Sequence, residues 1–236
     1  MKLDAILWDY DGTLVNSVPK NIEITKAILS IVAPHLTGNK LPKYLLREDL
    51  YHQANHSAKN WQELYTDYYG LSHDEMIRAG SLWAEHQEEN QTEVTLFDGI
   101  KSVIGRFSQL RHGICSQNSQ NNIRRVLKHN DIDAPFKAII GYDDVSNENQ
   151  KPHPYGGIKC IESIFGHTNS QFLMYIGDHE ADTQFARNLQ AALGESAKVI
   201  SVAAAYSRSE PESWDNQPDF IARNVQDLLS IIGQYA

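Results

Sequence analysis

The chain predicts an α/β fold, a doubly wound parallel sheet interrupted near its start by an all-helical insertion. Three observations carry that expectation. An apolar run at Leu3–Trp8 has the length and composition of a buried strand. Residues 18–95 show only helical spacing. From Leu96 onward, short apolar segments alternate with amphipathic helical ones, the pattern of a parallel sheet covered on both faces by right-handed crossovers. Residues 1–17 and 96–236 are thus expected to form one α/β core, and 18–95 a separate helical domain.

In the insertion, Pro19 suits a helix start, and Ile22, Ala27, Ile28 and Ile31 keep helical spacing until Pro34. Residues 37–42 read as a loop, after which Tyr44, Leu45, Leu46 and Leu50 begin a second helix. Trp61, Leu64, Tyr65 and Tyr68 mark a third, which stops at Gly70. Ser72 with Glu75 is a capping-box pair for a fourth helix toward Glu89. The aromatics Trp61, Tyr65, Tyr68, Tyr69 and Trp83 read as the core of a small bundle rather than a cofactor box.

Beyond it, Asp98-Gly99 opens a helix to Leu110, His112–Ser116 is a strand, and Asn118 or Ser119 caps a helix through His129. A strand at Ala138–Gly141, a helix at Pro154–Phe165 and a strand at Phe172–Ile176 follow. A helix from Ala181 to Leu193, a strand at Val199–Ala203, a short edge strand at Asp219–Ala222 and a helix at Val225–Tyr235 complete the pattern.

With 236 residues, 41% of them hydrophobic, the chain has ample material for a core. A net charge of −9 without a Lys/Arg cluster argues against a nucleic-acid surface, and an anionic substrate must be attracted locally. No apolar run reaches the roughly 20 residues that cross a bilayer, and acids interrupt the N-terminal segment as no signal peptide would allow. A cytoplasmic location without membrane or nucleic-acid partners is expected. Without a tail or heptad pattern, the chain is expected to be a monomer or homodimer. Cys115 and Cys160 read as buried free thiols.

The chemistry concentrates at strand ends, where ligands of such sheets bind. Leu3–Ser17 reads LDAILWDYDGTLVNS. Asp9 and Asp11 stand at i and i+2, which on extended backbone point to one side. Two such carboxylates repel unless a cation lies between them, and a hard ion such as Mg²⁺ favours oxygen ligands. Gly12 permits a sharp turn and a close approach of its N–H to an anion, although Asp-Gly is also a common turn dipeptide. Ser116 follows Gly113-Ile114-Cys115 and precedes Gln117; it suits either a phosphate cradle or a helix cap. Lys151 begins KPHP, where two prolines hold the backbone, although a solvated lysine fits as well. Asp178 ends FLMYIG, with Asp182 one helical turn beyond; a capping aspartate is the alternative for Asp178. His153 and His179 adjoin these motifs, but no His-rich set accompanies them, and the remaining histidines read as mostly surface. Lys43 and Arg47 read as solvated charges of the insertion.

The order DxDGT, strand-Ser, Lys-Pro, strand-GDxxxD resembles the four-motif signature of the haloacid dehalogenase-like (HAD) hydrolase superfamily. A helical insertion after the first motif resembles the cap of its phosphoglycolate phosphatase and β-phosphoglucomutase branch. The resemblance implies a Rossmann-like core and Mg²⁺-dependent hydrolysis of a small phosphorylated metabolite. It makes Asp9 the nucleophile that becomes an aspartyl phosphate, and Asp11 the acid to the leaving alcohol and then the base for water. Mg²⁺ would be held by Asp9, the Asp11 main-chain carbonyl and Asp178. Ser116 and the Gly12 N–H would bind phosphoryl oxygens, Gln117 would lie against the substrate, Lys151 would screen Asp9 from phosphate, and Asp182 would act from behind. Gln117 departs from the Asn that many relatives carry there, which puts local substrate contacts in doubt. A phosphomutase needs the same core and differs in its cap. A dehalogenase has no use for the acid at Asp11, a phosphonate hydrolase requires a cap lysine, and a non-catalytic phosphate-binding module would not need every chemical group.

Overall fold

Every strand of the expected sheet is present in a computed structural model of the chain, which describes residues 2–169 and 171–236. Two units divide the chain: Ser17–Thr95, and Met1–Asn16 together with Leu96–Ala236.

The Ser17–Thr95 unit contains α1 (Val18–Val32), α2 (Glu48–Ser57), α3 (Trp61–Glu63) and α4 (His73–Glu89). Its core is built from Ile24, Ile28, Leu29, Leu45, Leu64 and Tyr65 with Tyr69, Met76 and Ala79. The capping box of Ser72 and Glu75 starts α4 as expected. The second helix, however, begins at Glu48 rather than Tyr44. Lys43–Leu45 forms a single 3₁₀ turn that buries Leu45 while Leu46 is exposed, so this apolar run does not lie on one helical face. Glu48 and Asp49 then open α2, where negative charge suits the helix dipole. The third helix is only one α turn before it widens into a π segment at Leu64–Tyr68, with the Tyr69 N–H on the Leu64 carbonyl at 3.1 Å. That widening sets Tyr65 and Tyr69 into the core with ring centroids 5.3 Å apart. Trp61 is the exception among the aromatics, being 47% exposed.

β3 (Thr95–Leu96) falls on the boundary, and the larger unit contains β1 (Ala5–Trp8), β2 (Val15–Asn16), α5 (Ile100–Arg106), β4 (Arg111–Cys115), α6 (Gln120–His129) and β5 (Phe136–Ile140). It continues through α7 (Tyr155–Phe165), β6 (Phe172–Gly177), α8 (Glu180–Leu193), β7 (Lys198–Ala204), β8 (Phe220–Ala222) and α9 (Val225–Gly233). Six strands pair in parallel in the order β5-β4-β1-β6-β7-β8, while β2 and β3 form a separate two-stranded sheet. The chain winds outward from β1 through β4 to β5, then crosses to β6 and winds the other way. The reversal lies between β1 and β6, and such a switch point opens a crevice beyond the strand ends. Both strands are buried along their whole length, as near-continuous apolar strands of a doubly covered sheet are. Phe185 and Leu189 of α8 and Cys160 and Ile161 of α7 pack on Leu7, Leu173 and Tyr175. Cys115 and Cys160 are buried free thiols, as composition implies.

Some boundaries move. The helix after Gly99 stops at Arg106, because buried Phe107 leaves the helix and a turn through Leu110 feeds β4. β5 starts at Phe136, α9 stops at Gly233, and Ser119 rather than Asn118 caps α6. One histidine expected near the surface is fully buried. His112 accepts the Trp8 indole N–H at Nδ1 (3.0 Å) and meets the Phe107 carbonyl at Nε2 (3.0 Å). These partners select the neutral tautomer with hydrogen on Nε2. Burial lowers the His112 pKa below its ordinary 6.5, against the opposing pull of the Phe107 carbonyl. The unfolded chain therefore takes up a proton that the folded chain refuses. This contribution to stability is full above pH 6.5 and is lost as pH falls through the lowered folded-state pKa. Urea unfolding across that range should show stability declining with acid. His112→Phe should flatten that segment while costing about 1–3 kcal/mol at neutral pH, because the Trp8 N–H loses its acceptor.

Candidate active site

Sheet register brings the sequence candidates together. Trp8 is level with Ile114 on one side and Ile176 on the other, so Asp9, Ser116 and Asp178 all emerge just past the strand ends. The Asp9 N–H donates to the Ile176 carbonyl (2.8 Å), extending the ladder by one bond beyond β1. Lys151 reaches this point from the loop before α7. Its ammonium donates to Asp9 Oδ1 (2.6 Å), to Asp182 Oδ1 (2.6 Å) and to the Tyr175 hydroxyl (3.1 Å). An ammonium has three donors, and all three are placed. Lys151 is thus a buried group of the site and not a solvated one.

Asp182 is held from its own helix. Its Oδ2 accepts the His179 N–H (3.1 Å) at the start of α8, while Oδ1 receives Lys151 and lies 3.1 Å from the Tyr175 hydroxyl. The side chain packs over Gly177, where a Cβ would come within 2.3 Å of the Asp182 carboxyl carbon. Asp178 follows β6, the strand beside β1, and its Oδ2 accepts the Ser207 hydroxyl (3.2 Å). Gly12 lies against it with φ +73°; a Cβ there would stand 2.2 Å from Asp178 Oδ2. Backbone conformation and steric room therefore both demand glycine. The expected role of the Gly12 N–H needs correction. It donates to the Val15 carbonyl (2.9 Å), closing the turn after β1, so it is not turned toward a phosphate.

Asp11 is placed differently from the other acids. Its carboxylate accepts the Asn118 side-chain N–H at Oδ2 (2.8 Å) and is not one of the three clustered carboxylates. Ser116 Oγ accepts the Asn118 backbone N–H (3.2 Å), and an accepting hydroxyl keeps its own hydrogen to donate. Gln117 is exposed, and its amide reaches the Lys151 carbonyl at 3.4 Å. His153 Nδ1 accepts the Tyr155 N–H (3.3 Å) and His179 Nδ1 accepts the Ala181 N–H (3.2 Å), so each ring caps a helix start. In the other unit, Arg47 pairs with Asp49 in the open and Lys43 lies 4.8 Å from the Tyr44 ring.

Tyr175, Ser207 and Asn118 are contacts of the site that motif reading misses. Alternation within β6 was a usable signal for Tyr175, since Tyr175 is the one polar-tipped residue of FLMYIG. Ser207 had none, because the loop after β7 carries no recognisable motif.

Oxygen atoms of Asp9, Asp178 and Asp182 lie within 4.8 Å of one another, and all three residues are buried. Burial is the main influence on Asp9 and pushes its carboxyl up to about 7; Lys151 opposes this, while Asp182 and Asp11 add to it. Asp178 is driven well above the carboxylate range by burial, then by Asp9 and Asp182, with Lys151 and Ser207 opposing. Burial alone would favour loss of the Lys151 proton, but Asp182 and Asp9 outweigh it and hold the ammonium charged. One ammonium against three buried carboxylates leaves a deficit of positive charge, and an all-oxygen donor set suits a hard divalent cation. The residues fit such an ion.

The family model of haloacid dehalogenase-like hydrolases matches residues 6–193. Over 236 aligned residues, the chain is 28% identical to pyrophosphatase PpaX of Listeria innocua, covering 98% of this chain and 97% of that one. Its fold is similar to that of a candidate phosphoglycolate phosphatase from Lactobacillus plantarum, with a TM-score of 0.74, 18% identity, and coverage of 98% and 100% of the two chains. A haloacid dehalogenase-like family hydrolase from Streptococcus pneumoniae is similar at a TM-score of 0.71 and 18% identity, over 99% of both chains. With acids, hydroxyl and lysine gathered at the switch point of a doubly wound sheet, and a family match spanning most of its length, the chain belongs to the haloacid dehalogenase-like hydrolases.

Proposed function

We propose that the protein is a Mg²⁺-dependent phosphomonoester hydrolase acting on a small phosphorylated metabolite through an aspartyl phosphate at Asp9. The observation that carries this reading is the buried carboxylate of Asp9 at a strand end, with Oδ1 fixed by Lys151 at 2.6 Å. That bond leaves Oδ2 to attack phosphorus. In the first displacement the Asp9 oxygen–phosphorus bond forms, the bond to the leaving oxygen breaks, and Asp11 gives that oxygen its proton. In the second, water attacks the aspartyl phosphate, Asp11 takes the proton, and phosphate and the Asp9 carboxylate are released. Splitting one hydrolysis into two displacements is the advantage of carboxylate catalysis.

The Asp9 and Asp178 carboxylates, with the Asp11 main-chain carbonyl, are the groups that would hold Mg²⁺. Bound there, the ion would neutralise carboxylate and phosphoryl charge. The Ser116 hydroxyl donates to a phosphoryl oxygen. Lys151 acts through its field: its three donors are committed, so direct contact with phosphate would require it to exchange one of them. Likeness to a named pyrophosphatase extends the substrate class to be assayed to phosphoanhydrides. The phosphomutase reading shares these steps and separates from hydrolysis by testing whether a sugar phosphate, rather than water, relieves the aspartyl phosphate.

Hydrolysis of p-nitrophenyl phosphate should require Mg²⁺ and should fall about 10³-fold or more in Asp9→Asn, which keeps the shape but not the nucleophile. Activity that survives both changes would remove the proposal. Lys151→Met tests the charge balance. It should destabilise the metal-free protein by about 3–5 kcal/mol, since it leaves Asp9 and Asp182 without their cation. Added Mg²⁺ should restore more of the melting temperature in this variant than in the wild type; equal shifts would mean the ion and the ammonium do not share the same carboxylates.

A further inference from the structure

The reaction asks one carboxylate, Asp11, to give and take a proton at a defined place, yet that side chain stands apart from the cluster that fixes Asp9, Asp178 and Asp182. Among its contacts is the Asn118 amide. Asn118 Nδ2 donates to Asp11 Oδ2 at 2.8 Å. Asn118 Oδ1 accepts the Ser119 N–H (2.8 Å) and the Asn122 side-chain N–H (3.0 Å). Asn122 Oδ1 in turn accepts from the Arg125 guanidinium at 2.7 Å. Asn118 and Asn122 are both buried, and their backbone is fixed at the start of α6.

The sense of this chain is not arbitrary. A guanidinium only donates, so Asn122 must turn its oxygen toward Arg125 and its nitrogen toward Asn118. Asn118 must then offer its oxygen to Asn122 and its nitrogen to Asp11. Each amide orientation, which density or symmetry leaves open in an isolated asparagine, is dictated by the charge at the far end. Asn122 and Arg125 are spaced i, i+3 on one face of α6, and Asn118 stands just before its Ser119 cap. The Asn118 main chain is also tied down: its N–H donates to Ser116 Oγ (3.2 Å) and its carbonyl accepts the Tyr142 N–H (3.1 Å). One residue therefore touches both the candidate phosphate-binding hydroxyl and the candidate proton donor.

We infer that Asn118 is the positioning residue for Asp11, and that Asn122 and Arg125 set its orientation so that the Asp11 carboxylate is aimed at the leaving and entering oxygens. This rests on the proposed phosphoryl transfer and deepens it. The substrate's demand for a proton is the means of testing it. Phenyl phosphate and p-nitrophenyl phosphate have the same shape toward the site, but the phenolate of the first is a poorer leaving group and needs the proton more. For kcat/KM, which reports the first displacement, Asn118→Ala should lose on the order of 100-fold with phenyl phosphate and no more than about 10-fold with p-nitrophenyl phosphate. Asn122→Leu, which cuts the chain one link further away at nearly constant volume, should show the same preference with smaller losses. Arg124→Ala, on the exposed side of α6, should change neither rate.

Thermal melting accompanies each variant to establish that it is folded. Equal losses on the two substrates, or no loss on either, in a folded Asn118→Ala protein would overturn the inference while Asp9→Asn still abolished activity. A wild-type protein that hydrolyses neither substrate, or an Asp9→Asn protein that hydrolyses both, would overturn the phosphoryl-transfer reading and this inference with it.

Discussion

A buried lysine between two buried aspartates is the constraint from which the rest of the site follows. Lys151 bonds Asp9 and Asp182 at 2.6 Å each and meets the Tyr175 hydroxyl at 3.1 Å. Groups this deeply desolvated are tolerated only when paired and hydrogen-bonded, and removal of one member strands the others. Three supports are therefore in place: β1 fixes Asp9, the α8 start fixes Asp182 through the His179 N–H, and β6 supplies the Tyr175 hydroxyl. Asp178 then makes a third carboxylate, beyond what one ammonium can neutralise. Burial raises Asp9 and Asp178, so protons offset that excess in the metal-free protein, and a divalent cation suited to the all-oxygen donor set would replace them.

The same constraint explains the sheet order. Asp9 and Asp178 sit on neighbouring strands because the chain reverses its winding between β1 and β6. Ser116 stands on the other side of β1 because β4 pairs there. A strand exchange anywhere in the middle of this sheet would separate the acids from the hydroxyl. Gly12 shows how little freedom remains, since the turn after β1 passes so near Asp178 that no side chain fits. The small-residue demand and the charge demand meet at one position.

Much of this was legible before any coordinates. Strands with unbroken apolar runs, helices between them and polar residues at each strand end specify where side chains converge, because parallel sheets place ligands at one edge. Asp9, Ser116 and Asp178 were singled out that way, and the fold brings Asp9 and Asp178 together with Lys151 and Asp182. What escaped depends on contacts between residues far apart in sequence. Tyr175 stands out in FLMYIG only by its hydroxyl, whose task shows once Lys151 reaches it. His112 reads as a polar strand start, yet Trp8, more than a hundred residues earlier, donates to it. Asn118 reads as a helix cap, and only the approach of Asp11 gives its amide a different task. The Gly12 N–H looked available because local sequence cannot reveal that Val15 folds back to accept it. In the helical unit, the apolar cluster at Tyr44–Leu46 has helical composition, but it folds as a 3₁₀ turn that buries Leu45 and leaves Leu46 exposed.

The central claim is that Asp9 attacks phosphorus and is later relieved by water. The stereochemical course at phosphorus tests it most directly. A thiophosphate monoester chiral through sulfur and two oxygen isotopes, hydrolysed in water carrying the third, reports how many in-line displacements occur. Two displacements through an aspartyl phosphate predict net retention of configuration. Net inversion would mean that water attacks the substrate in one step and that Asp9 is not the nucleophile.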